Sequence, residues 1–591
     1  MNYSKRINLF KIIIYSFAIV LIFSLFQIQV FHAGKFARQS EKNRIRLLPL
    51  PAPRGQIYDR NGLVLATNRL AYHVYVTPED FDSQDLPKLS KLIDLNADEL
   101  KKRLSGPRMR SSTPILIKRD ISKELAMKIE ERKPELAGVF IQSEGIRFYP
   151  NGEINGHLLG YIGKITKEEY QKFDRENFGL HSYLGRAGLE KSFDSLLRGE
   201  DGGRQIEVNA RGEQLKILSE KLPFAGENLS LSIDLALERE VYPAMSGKRS
   251  SVVMMDLRTG EIVLMISNPG FDPNVFVDED KEEERLRVLK DKRRPLVNRA
   301  TTGVYPPGSV FKLVTGLAGL ESGKVTPFTS FQCNGYFRLT PNSRKFKCWE
   351  HQGHGSVNLF KALERSCNVY FYNVGRLVGE KELEKYSRLF GLGEALPLEV
   401  PTAEGLIPSS QWKKDKLHDS WYLGETVTFA IGQGYVLTTP VQILNLISIV
   451  ATDGKAPMPT LLKVDSEQQI KRTSFETHEE AFRIIKQGML KVVESKYGTG
   501  QLARLDFMRL AAKTGTAQAP PEKSHAWFAS FFPYEKPEYA LVVFVEHGGS
   551  GGLVAATLAK QVLAAWQKLY AADGQFEKPK LPPVVLKEPI G

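Results

Sequence analysis

The longest hydrophobic segment of the sequence lies near its start. Residues 12–31 are almost entirely apolar and uncharged, and about 20 helical residues span a bilayer core. Lys5, Arg6 and Lys11 come before this segment, and basic residues next to a span favour the cytoplasmic side. The alternative is a cleaved signal peptide, but the segment is longer than a typical signal core and no small-residue cleavage site closely follows it. The pattern predicts a cytoplasmic tail at 1–11 and a single transmembrane helix at 12–31.

Short segments of alternating apolar and polar residues characterise residues 32–225. Asn61 and Gly62 separate two such segments, and this dipeptide favours a two-residue hairpin turn. Charged segments with helical spacing occur at 84–104 and 121–133, and a further helix is expected at 185–197. These features predict an α+β pedestal domain, a dimerisation-like module, in which the sequence shows no catalytic constellation.

Residues 226–591 have strand-like segments at both ends and helical segments between them. The predicted elements are a helix at 229–246, strands at 251–257, 261–267, 507–516, 526–533 and 538–546, and a final amphipathic helix at 553–571. One sheet assembled from such distant segments, with helices packed on it, is an α+β architecture with an antiparallel sheet. We therefore expect a second extracytoplasmic domain over 226–591.

The composition is that of a folded, basic protein. The chain has 591 residues and a net charge of +13, which suits an anionic membrane surface or polymer as well as nucleic acid. The sequence has no recognition-helix, zinc-finger or RNA-binding signature. We therefore expect no nucleic-acid partner.

The clearest chemical motif is a serine followed by a lysine at a helix start. Two prolines and a glycine interrupt the chain just before Ser309, and Lys312 lies one helical turn further on. A serine hydroxyl needs a neighbouring base to become a nucleophile, and a lysine can act as that base when burial lowers its pKa. The motif alone also fits an ordinary helix-capping serine.

Two later motifs change this interpretation. Ser366-Cys367-Asn368 follows a helical segment, and Lys513-Thr514-Gly515-Thr516 lies in a predicted strand. The order Ser-x-x-Lys, Ser-x-Asn, Lys-Thr-Gly is the signature of penicillin-binding proteins and serine β-lactamases.

With these motifs, the chain resembles class B penicillin-binding proteins, and most closely those of the elongation type. The resemblance covers nearly the whole chain and includes residues 54–62, 185–190, 256–261, 432–434 and 439–440. It implies a peptidoglycan D,D-transpeptidase that cross-links stem peptides during cell elongation and is a target of β-lactams. It also implies a single-pass protein of the bacterial inner membrane, with its catalytic domain in the periplasm.

The resemblance implies a role for each residue of the first two motifs. Ser309 attacks the carbonyl of a D-Ala-D-Ala stem peptide and forms an acyl-enzyme, with Lys312 as its base. Ser366 passes a proton to the leaving amine, and Asn368 holds a substrate amide. A second stem-peptide amine then accepts the acyl group.

The third motif is expected to bind the substrate terminus. Lys513 supplies positive potential, and Thr514 and Thr516, on either side of Gly515, bind the terminal carboxylate. The backbone N–H groups of Ser309 and Thr516 form the oxyanion hole.

The cysteines suggest a metal site close to the second motif. Cys333, Cys348 and Cys367 lie within 35 residues of one another, together with His351 and His354. Three sulfurs and one imidazole form a tetrahedral zinc set, but the spacing equally fits a Cys333–Cys348 disulfide with Cys367 free.

The resemblance favours zinc over the disulfide, because some elongation-type relatives bind zinc with mixed ligands at similar positions. We expect a structural zinc ion held by Cys333, Cys348, His354 and Cys367, with His351 as the spare ligand. The resemblance also implies partners: a SEDS-type glycan polymerase in the membrane and other proteins of the elongation complex. The alternatives are a division-type transpeptidase, a D,D-carboxypeptidase or β-lactamase, and a β-lactam sensor.

Overall fold

The computed structural model describes residues 3–32, 34, 45–78, 80–105, 114–166, 168–169, 183–208, 214–474 and 478–571. The first element is helix α1 (Tyr3–Phe26), which continues into a wider turn at Gln27–Phe31. Residues Ile7–Phe31 are long and apolar enough to cross a membrane, and none of this segment is buried inside the protein. A single N-terminal apolar helix of this kind is consistent with the expected anchor.

The pedestal is an α+β domain built on strands that come from both of its ends. Its strands are β1 (Ile45–Leu50), β2 (Ile57–Tyr58), β3 (Val64–Val76), β4 (Ile115–Ile121), β5 (Val139–Phe148), β6 (Ile162–Lys164), β7 (Tyr183–Gly185), β8 (Gly202–Val208), β9 (Gln214–Lys221) and β10 (Leu229–Ser230). Its helices are α2 (Leu86–Ile93), α3 (Ala97–Leu104), α4 (Lys123–Glu131), α5 (Gly156–Leu159), α6 (Gly188–Ser192) and α7 (Asp194–Arg198). One sheet has the order β1-β8-β9, and a second has the order β10-β2-β3-β4 with β5 also paired to β3.

The hairpin predicted at Asn61 and Gly62 is confirmed, but its turn is longer than the two residues expected, since Tyr58 pairs with Val64 and the Asp59 N–H donates to the Leu63 carbonyl at 2.8 Å. Gly62 has a φ of 84°, which is the left-handed region that glycine tolerates best. The buried Asp59 carboxylate accepts hydrogen bonds from the backbone N–H groups of Asn61 and Leu63 at 2.8 and 2.7 Å. This side chain therefore fixes the turn between β2 and β3.

A buried ion cluster joins three segments of the pedestal. Glu190 on α6 accepts hydrogen bonds from Arg54 Nε at 2.6 Å and from Arg147 Nε at 2.7 Å. Tyr149 also donates its hydroxyl to Glu190. All four side chains are buried, and Arg54 also pairs with Asp194 at 2.9 Å, so two carboxylates compensate the two buried cations.

The second domain follows the predicted architecture. Its strands are β11 (Ser250–Asp256), β12 (Ile262–Asn268), β13 (Phe331–Cys333), β14 (Tyr336–Phe337), β15 (Phe346–Lys347), β16 (Gly355–Val357), β17 (Ala511–Ala517), β18 (His525–Phe532) and β19 (Tyr539–Val545). Its helices are α8 (Leu235–Val241), α9 (Asn274–Val277), α10 (Glu282–Lys290), α11 (Lys312–Glu321), α12 (Leu359–Glu364), α13 (Asn368–Val378), α14 (Glu380–Leu389), α15 (Ser410–Leu417), α16 (Leu423–Phe429), α17 (Pro440–Ala451), α18 (Glu479–Glu494) and α19 (Ala556–Trp566).

The main sheet of this domain has the order β12-β11-β19-β18-β17 and all its pairs are antiparallel. Alternate residues point to opposite faces of a strand, and both faces of this sheet are apolar. Helix α17, buried along its whole length, packs on one face, and α19 packs on the other. The α+β prediction, with its sheet assembled from both ends of the domain, is confirmed.

Four helix predictions need correction. The segment 185–197 is not one helix, because Gly185 ends β7 and Phe193 separates α6 from α7. The segment 229–246 is not one helix, because Leu229–Ser230 pairs in parallel with β2 and only Leu235–Val241 is α-helical. The segment 84–104 is divided at Asp94, which has a φ of 51° and ends α2. The last helix is regular only over Ala556–Trp566, with wider turns at Gly551–Ala555 and Gln567–Ala571.

Candidate active site

The turn that carries Ser309 is held by a neighbouring loop. Gly308 has a φ of 54°, and its backbone N–H donates to the carbonyl of Gly432 at 2.9 Å. Ser309 lies in a short 3₁₀ turn, Gly308–Phe311, and Lys312 begins α11 directly after it. A Cβ on Gly432 would lie 2.4 Å from the Gly308 carbonyl oxygen, so only glycine permits this approach.

Lys312 reaches from α11 to the Ser-x-Asn motif. Its Nζ donates to the Ser366 carbonyl at 2.8 Å, to Ser366 Oγ at 3.2 Å and to Asn368 Oδ1 at 2.6 Å. Lys513, on β17, donates from its Nζ to the same Ser366 Oγ at 3.0 Å. The hydroxyl of Ser366 therefore bridges two lysines that are distant in sequence.

Both lysines are fully buried, and burial disfavours their charged forms. Burial lowers the pKa of Lys312 to about 8. Burial and the positive charge of Lys312 lower the pKa of Lys513 well below its ordinary value. A neutral lysine amine near neutral pH is what a general base for a serine hydroxyl requires.

Ser366 adopts a strained backbone conformation between α12 and α13. Its φ is 53°, a region that few residues other than glycine adopt. Trp349 Nε1 donates to the carbonyls of Arg365 and Ser366 at 3.0 and 3.2 Å. Such strain often accompanies functional positions. No sequence motif indicates Trp349, because folding alone brings its side chain to the Ser-x-Asn segment.

The Lys-Thr-Gly strand lies against the serine turn. A Cβ on Gly515 would lie 3.0 Å from the Pro307 carbonyl oxygen, which explains the need for a small residue. The Thr514 hydroxyl lies 2.6 Å from the hydroxyl of Thr499, and Thr516 Oγ1 accepts the N–H of Gly551 at 3.2 Å. Thr499 is a second residue of the site that the sequence motifs do not indicate.

The four predicted metal ligands come together. One sulfur or nitrogen atom from each of Cys333, Cys348, His354 and Cys367 lies within 4.8 Å of the others, and the cysteines are free thiols. His354 Nδ1 is 3.6 Å from the sulfurs of both Cys333 and Cys348. His351, the spare candidate, is exposed and lies outside this group.

Comparison with known proteins identifies both domains. The family model described as "Penicillin binding protein transpeptidase domain" matches residues 250–564, and "Penicillin-binding Protein dimerisation domain" matches residues 49–231. The peptidoglycan D,D-transpeptidase MrdA of Acinetobacter baumannii is 34% identical over 91% of this chain and 84% of its own length.

Two solved structures are similar in fold and sequence. One is a complex between the penicillin-binding protein PBP2 and MreC from Helicobacter pylori, with a TM-score of 0.79, 30% identity, and coverage of 89% of this chain and 99% of that chain. The other comes from a peptidoglycan synthase complex that coordinates polymerization and crosslinking, with a TM-score of 0.73, 30% identity and coverage of 95% and 98%. The chain therefore belongs to the class B penicillin-binding proteins of the PBP2/MrdA type, which are serine-type peptidoglycan D,D-transpeptidases.

Proposed function

We propose that the acyl-enzyme forms on Ser309 and that Ser366 couples the two buried lysines during the reaction. The observation that supports this most directly is the Ser366 hydroxyl, which lies 3.2 Å from Lys312 Nζ and 3.0 Å from Lys513 Nζ. Neutral Lys312 takes the proton of Ser309 as its oxygen bonds to the substrate carbonyl. The proton then passes through Ser366 to the D-Ala amine as the peptide bond breaks.

The strand β17 binds the other side of the substrate. In the proposal, Thr514 and Thr516 hold the terminal carboxylate, and the Ser309 and Thr516 N–H groups stabilise the oxyanion. The close packing of Gly515 on the serine turn supports this placement. Release of D-Ala leaves room for a second stem-peptide amine, which takes the acyl group and restores the Ser309 hydroxyl.

Intact mass spectrometry with benzylpenicillin tests this assignment. Wild-type protein should gain one stable adduct on Ser309, whereas Ser309→Ala should gain none. Ser330→Ala, an exposed serine outside the motifs, is the matched control and should be acylated like wild type. An adduct on Ser309→Ala would contradict the assignment.

We also infer that a zinc ion binds Cys333, Cys348, His354 and Cys367. Zinc–sulfur and zinc–nitrogen bonds of 2.3 and 2.0–2.1 Å in a tetrahedron place sulfur and nitrogen about 3.6 Å apart. The separations of 3.6 Å between His354 Nδ1 and two of the sulfurs fit this geometry. The ion would have a structural role, since Cys367 lies between Ser366 and Asn368.

Metal analysis distinguishes zinc from the disulfide. Protein purified without chelator should contain one zinc per chain, and Cys333→Ala should lose most of it. His351→Ala, which removes an exposed imidazole from the same loop, should retain the metal. Absence of zinc, with a mass two hydrogens below that of the reduced chain, would instead indicate a Cys333–Cys348 disulfide.

The membrane context and partners of this chain follow from the anchor and the relatives. We infer that Ile7–Phe31 spans the bacterial inner membrane with both domains in the periplasm, where the enzyme acts in cell elongation. The similar solved structures include a complex of PBP2 with MreC and a peptidoglycan synthase complex that coordinates polymerization and crosslinking, which supports a SEDS-type polymerase as partner. Replacing this helix with an unrelated transmembrane helix should reduce co-purification with the polymerase; unchanged recovery would contradict a role for the anchor.

A further inference from the structure

The loop 495–499 connects the second and third motifs of the active site. Ser495 donates its hydroxyl to the buried carboxylate of Glu364, and the Thr499 N–H donates to the Glu364 carbonyl at 3.3 Å. At the other end of the loop, the Thr499 hydroxyl lies 2.6 Å from the hydroxyl of Thr514. The loop therefore reaches from a residue two positions before Ser366 to the strand β17.

Two cations border this loop without a counter-charge. The guanidinium carbon of Arg365 is 4.3 Å from the centre of the Tyr497 ring, and Lys496 Nζ is 5.1 Å from the same centre. Arg365 Nε is buried and has no hydrogen-bond partner among the described residues. Neither cation forms an ion pair with any residue that the structure describes. Because a buried N–H group normally has a partner, the Arg365 guanidinium is suited to bind an anion from outside the chain.

An exposed tryptophan continues this surface beside Ser366. Trp349, which is 53% exposed, donates from Nε1 to the carbonyls of Arg365 and Ser366 at 3.0 and 3.2 Å. Tyr497 is exposed to a similar extent, at 54%. We call the two cations and the two exposed rings the basic wall; its residues are Trp349, Arg365, Lys496 and Tyr497.

The second half of the proposed reaction brings the acceptor to this wall. The attacking amine replaces the D-Ala that has left, so it gives up its proton by the route through which D-Ala gained one, the Ser366 hydroxyl. Its nitrogen bonds to the acyl carbonyl carbon, the bond from that carbon to Ser309 Oγ breaks, and the proton returns through Ser366 and Lys312 to Ser309 Oγ. A carboxylate on the amine-bearing carbon then lies where the D-Ala carboxylate lay, at Thr514. Since the loop 495–499 borders both Ser366 and Thr514, the rest of the acceptor is placed to contact the basic wall.

We propose that Arg365 and Lys496 bind a second carboxylate of the acceptor, and that the basic wall thereby selects acceptor amines that carry this extra negative charge. Arg365 offers paired N–H groups to the carboxylate, and the exposed Lys496 adds a second positive charge. Trp349 and Tyr497 pack on the aliphatic groups of the acceptor. This inference rests on the proposed acyl-enzyme at Ser309, and it concerns the amine that ends the reaction rather than the peptide that begins it.

Competition between two amines for one acyl-enzyme tests the basic wall. The thioester N-benzoyl-D-alanyl-thioglycolate acylates Ser309 and releases thioglycolate, after which water or an added amine takes the acyl group. D-Glutamate and D-glutamine are added together at equal concentration, because they differ only in a side-chain carboxylate. Mass spectrometry measures both amide products in one sample, so the rate of acylation cancels from their ratio. Dividing by the ratio from the uncatalysed reaction of the thioester with the same amines corrects for their different basicity.

Wild type should prefer D-glutamate about fivefold, which is the size expected for an ion pair at the surface. The double variant Arg365→Gln, Lys496→Gln should lose this preference. Arg376→Gln, which removes an exposed arginine in the last turn of α13, should keep it. Melting temperatures show whether the variants fold, and Lys496→Gln alone, at an exposed side chain, should reduce the preference even if the Arg365 variant does not fold.

Three outcomes would overturn the basic wall and leave the Ser309 assignment intact. They are a Ser309 adduct that only water removes, equal preference for the two amines in wild type, and a preference that survives the double variant. Failure of the thioester to form any adduct on Ser309 of wild type would overturn the Ser309 assignment, and the inference about the acceptor with it.

Discussion

Lys312 is a lysine whose environment makes it a base near neutral pH. Since burial lowers its pKa to about 8, the neutral fraction rises about tenfold per pH unit below that value and then levels off. The rate of acylation by a fluorescent penicillin should therefore increase from pH 6 to about 8 and become nearly constant above. Stopped-flow fluorescence over this range measures the profile.

Lys312→Arg is the matched variant for this profile. A guanidinium stays protonated throughout this range, so Lys312→Arg has no base that can activate Ser309. Acylation should therefore fall by at least about a thousandfold, which is the size of loss expected when a general base is removed. Circular dichroism checks that the variant folds. A wild-type rate that does not change between pH 6 and 8 would rule out Lys312 as the titrating base.

Thr499 orients the hydroxyl of Thr514, which we propose binds the substrate carboxylate. Its side chain is 2.6 Å from Thr514 Oγ1, so one hydroxyl fixes the direction of the other. Thr499→Val should lower the second-order acylation rate about fivefold, in line with about 1 kcal/mol for one hydrogen bond. Thr499→Ser keeps the hydroxyl and should remain close to wild type; an equal loss in both variants would indicate a packing effect instead.

The individual residues show where sequence reasoning succeeds and where it ends. Ser309, Lys312, Ser366 and Lys513 belong to motifs with fixed local spacing, so the order of amino acids is enough to indicate them. Thr499 has no such motif, because its partner Thr514 is brought to it only when β17 packs beside the end of α18.

The same contrast holds for helices and strands. The Asn61-Gly62 hairpin and the strands β17 to β19 could be predicted, since turn chemistry and apolar runs are local properties. The segment 229–246 could not, because Leu229–Ser230 becomes a strand through pairing with β2, about 170 residues earlier. Asp234 then starts α8 by accepting the N–H of Leu237 at 3.0 Å.

The segments 54–62 and 185–190 resemble the family, but the sequence alone does not show what their residues do. The structure shows one role: Glu190 is the shared anion of Arg54 and Arg147. Glu190→Gln leaves the buried Arg147 without a counter-charge and Arg54 with Asp194 alone, 2.9 Å away, which should cost about 3–5 kcal/mol and lower the melting temperature of the pedestal by roughly 10 °C. Differential scanning calorimetry measures this change.

The exposed pair of Arg204 and Glu220, on β8 and β9, provides the control. Glu220→Gln removes the same kind of charge where water screens it, so the cost should stay below about 1 kcal/mol. A similar loss in both variants would mean that burial of Glu190 does not determine the stability of the cluster.

The two domains meet through buried polar groups as well as apolar contacts. Asp59 of the pedestal accepts the backbone N–H of Leu235 at 3.2 Å, and Asn155 of the pedestal donates to Glu238 on α8. The pedestal sheet also includes β10, which lies beyond residue 225. The sheet therefore has strands on both sides of the domain boundary predicted at residues 225 and 226. These contacts make the domain joint sensitive to the ionisation of its acids.

Glu238 is the acid of this joint whose ionisation should be most visible. Burial raises its pKa from 4.5 to about 8, against the opposing effect of the Asn155 hydrogen bond, and Asp234 and Asp59 nearby add to the rise. Between pH 4.5 and about 8, Glu238 has released its proton in the unfolded chain but retains it in the folded protein. Stability must therefore fall as pH rises from about 5 to about 8, and it should change little above that.

Glu238→Gln removes this ionisation. Relative to the variant, the melting temperature of wild type should decline across pH 5 to 8, by an amount that corresponds to a few kcal/mol. Glu240→Gln, which removes an exposed carboxylate of the same helix, should show no such trend relative to wild type. If the difference in melting temperature between wild type and Glu238→Gln is the same at pH 5 and pH 8, Glu238 does not hold a proton at the joint. Asn155 would then donate to an ionised carboxylate.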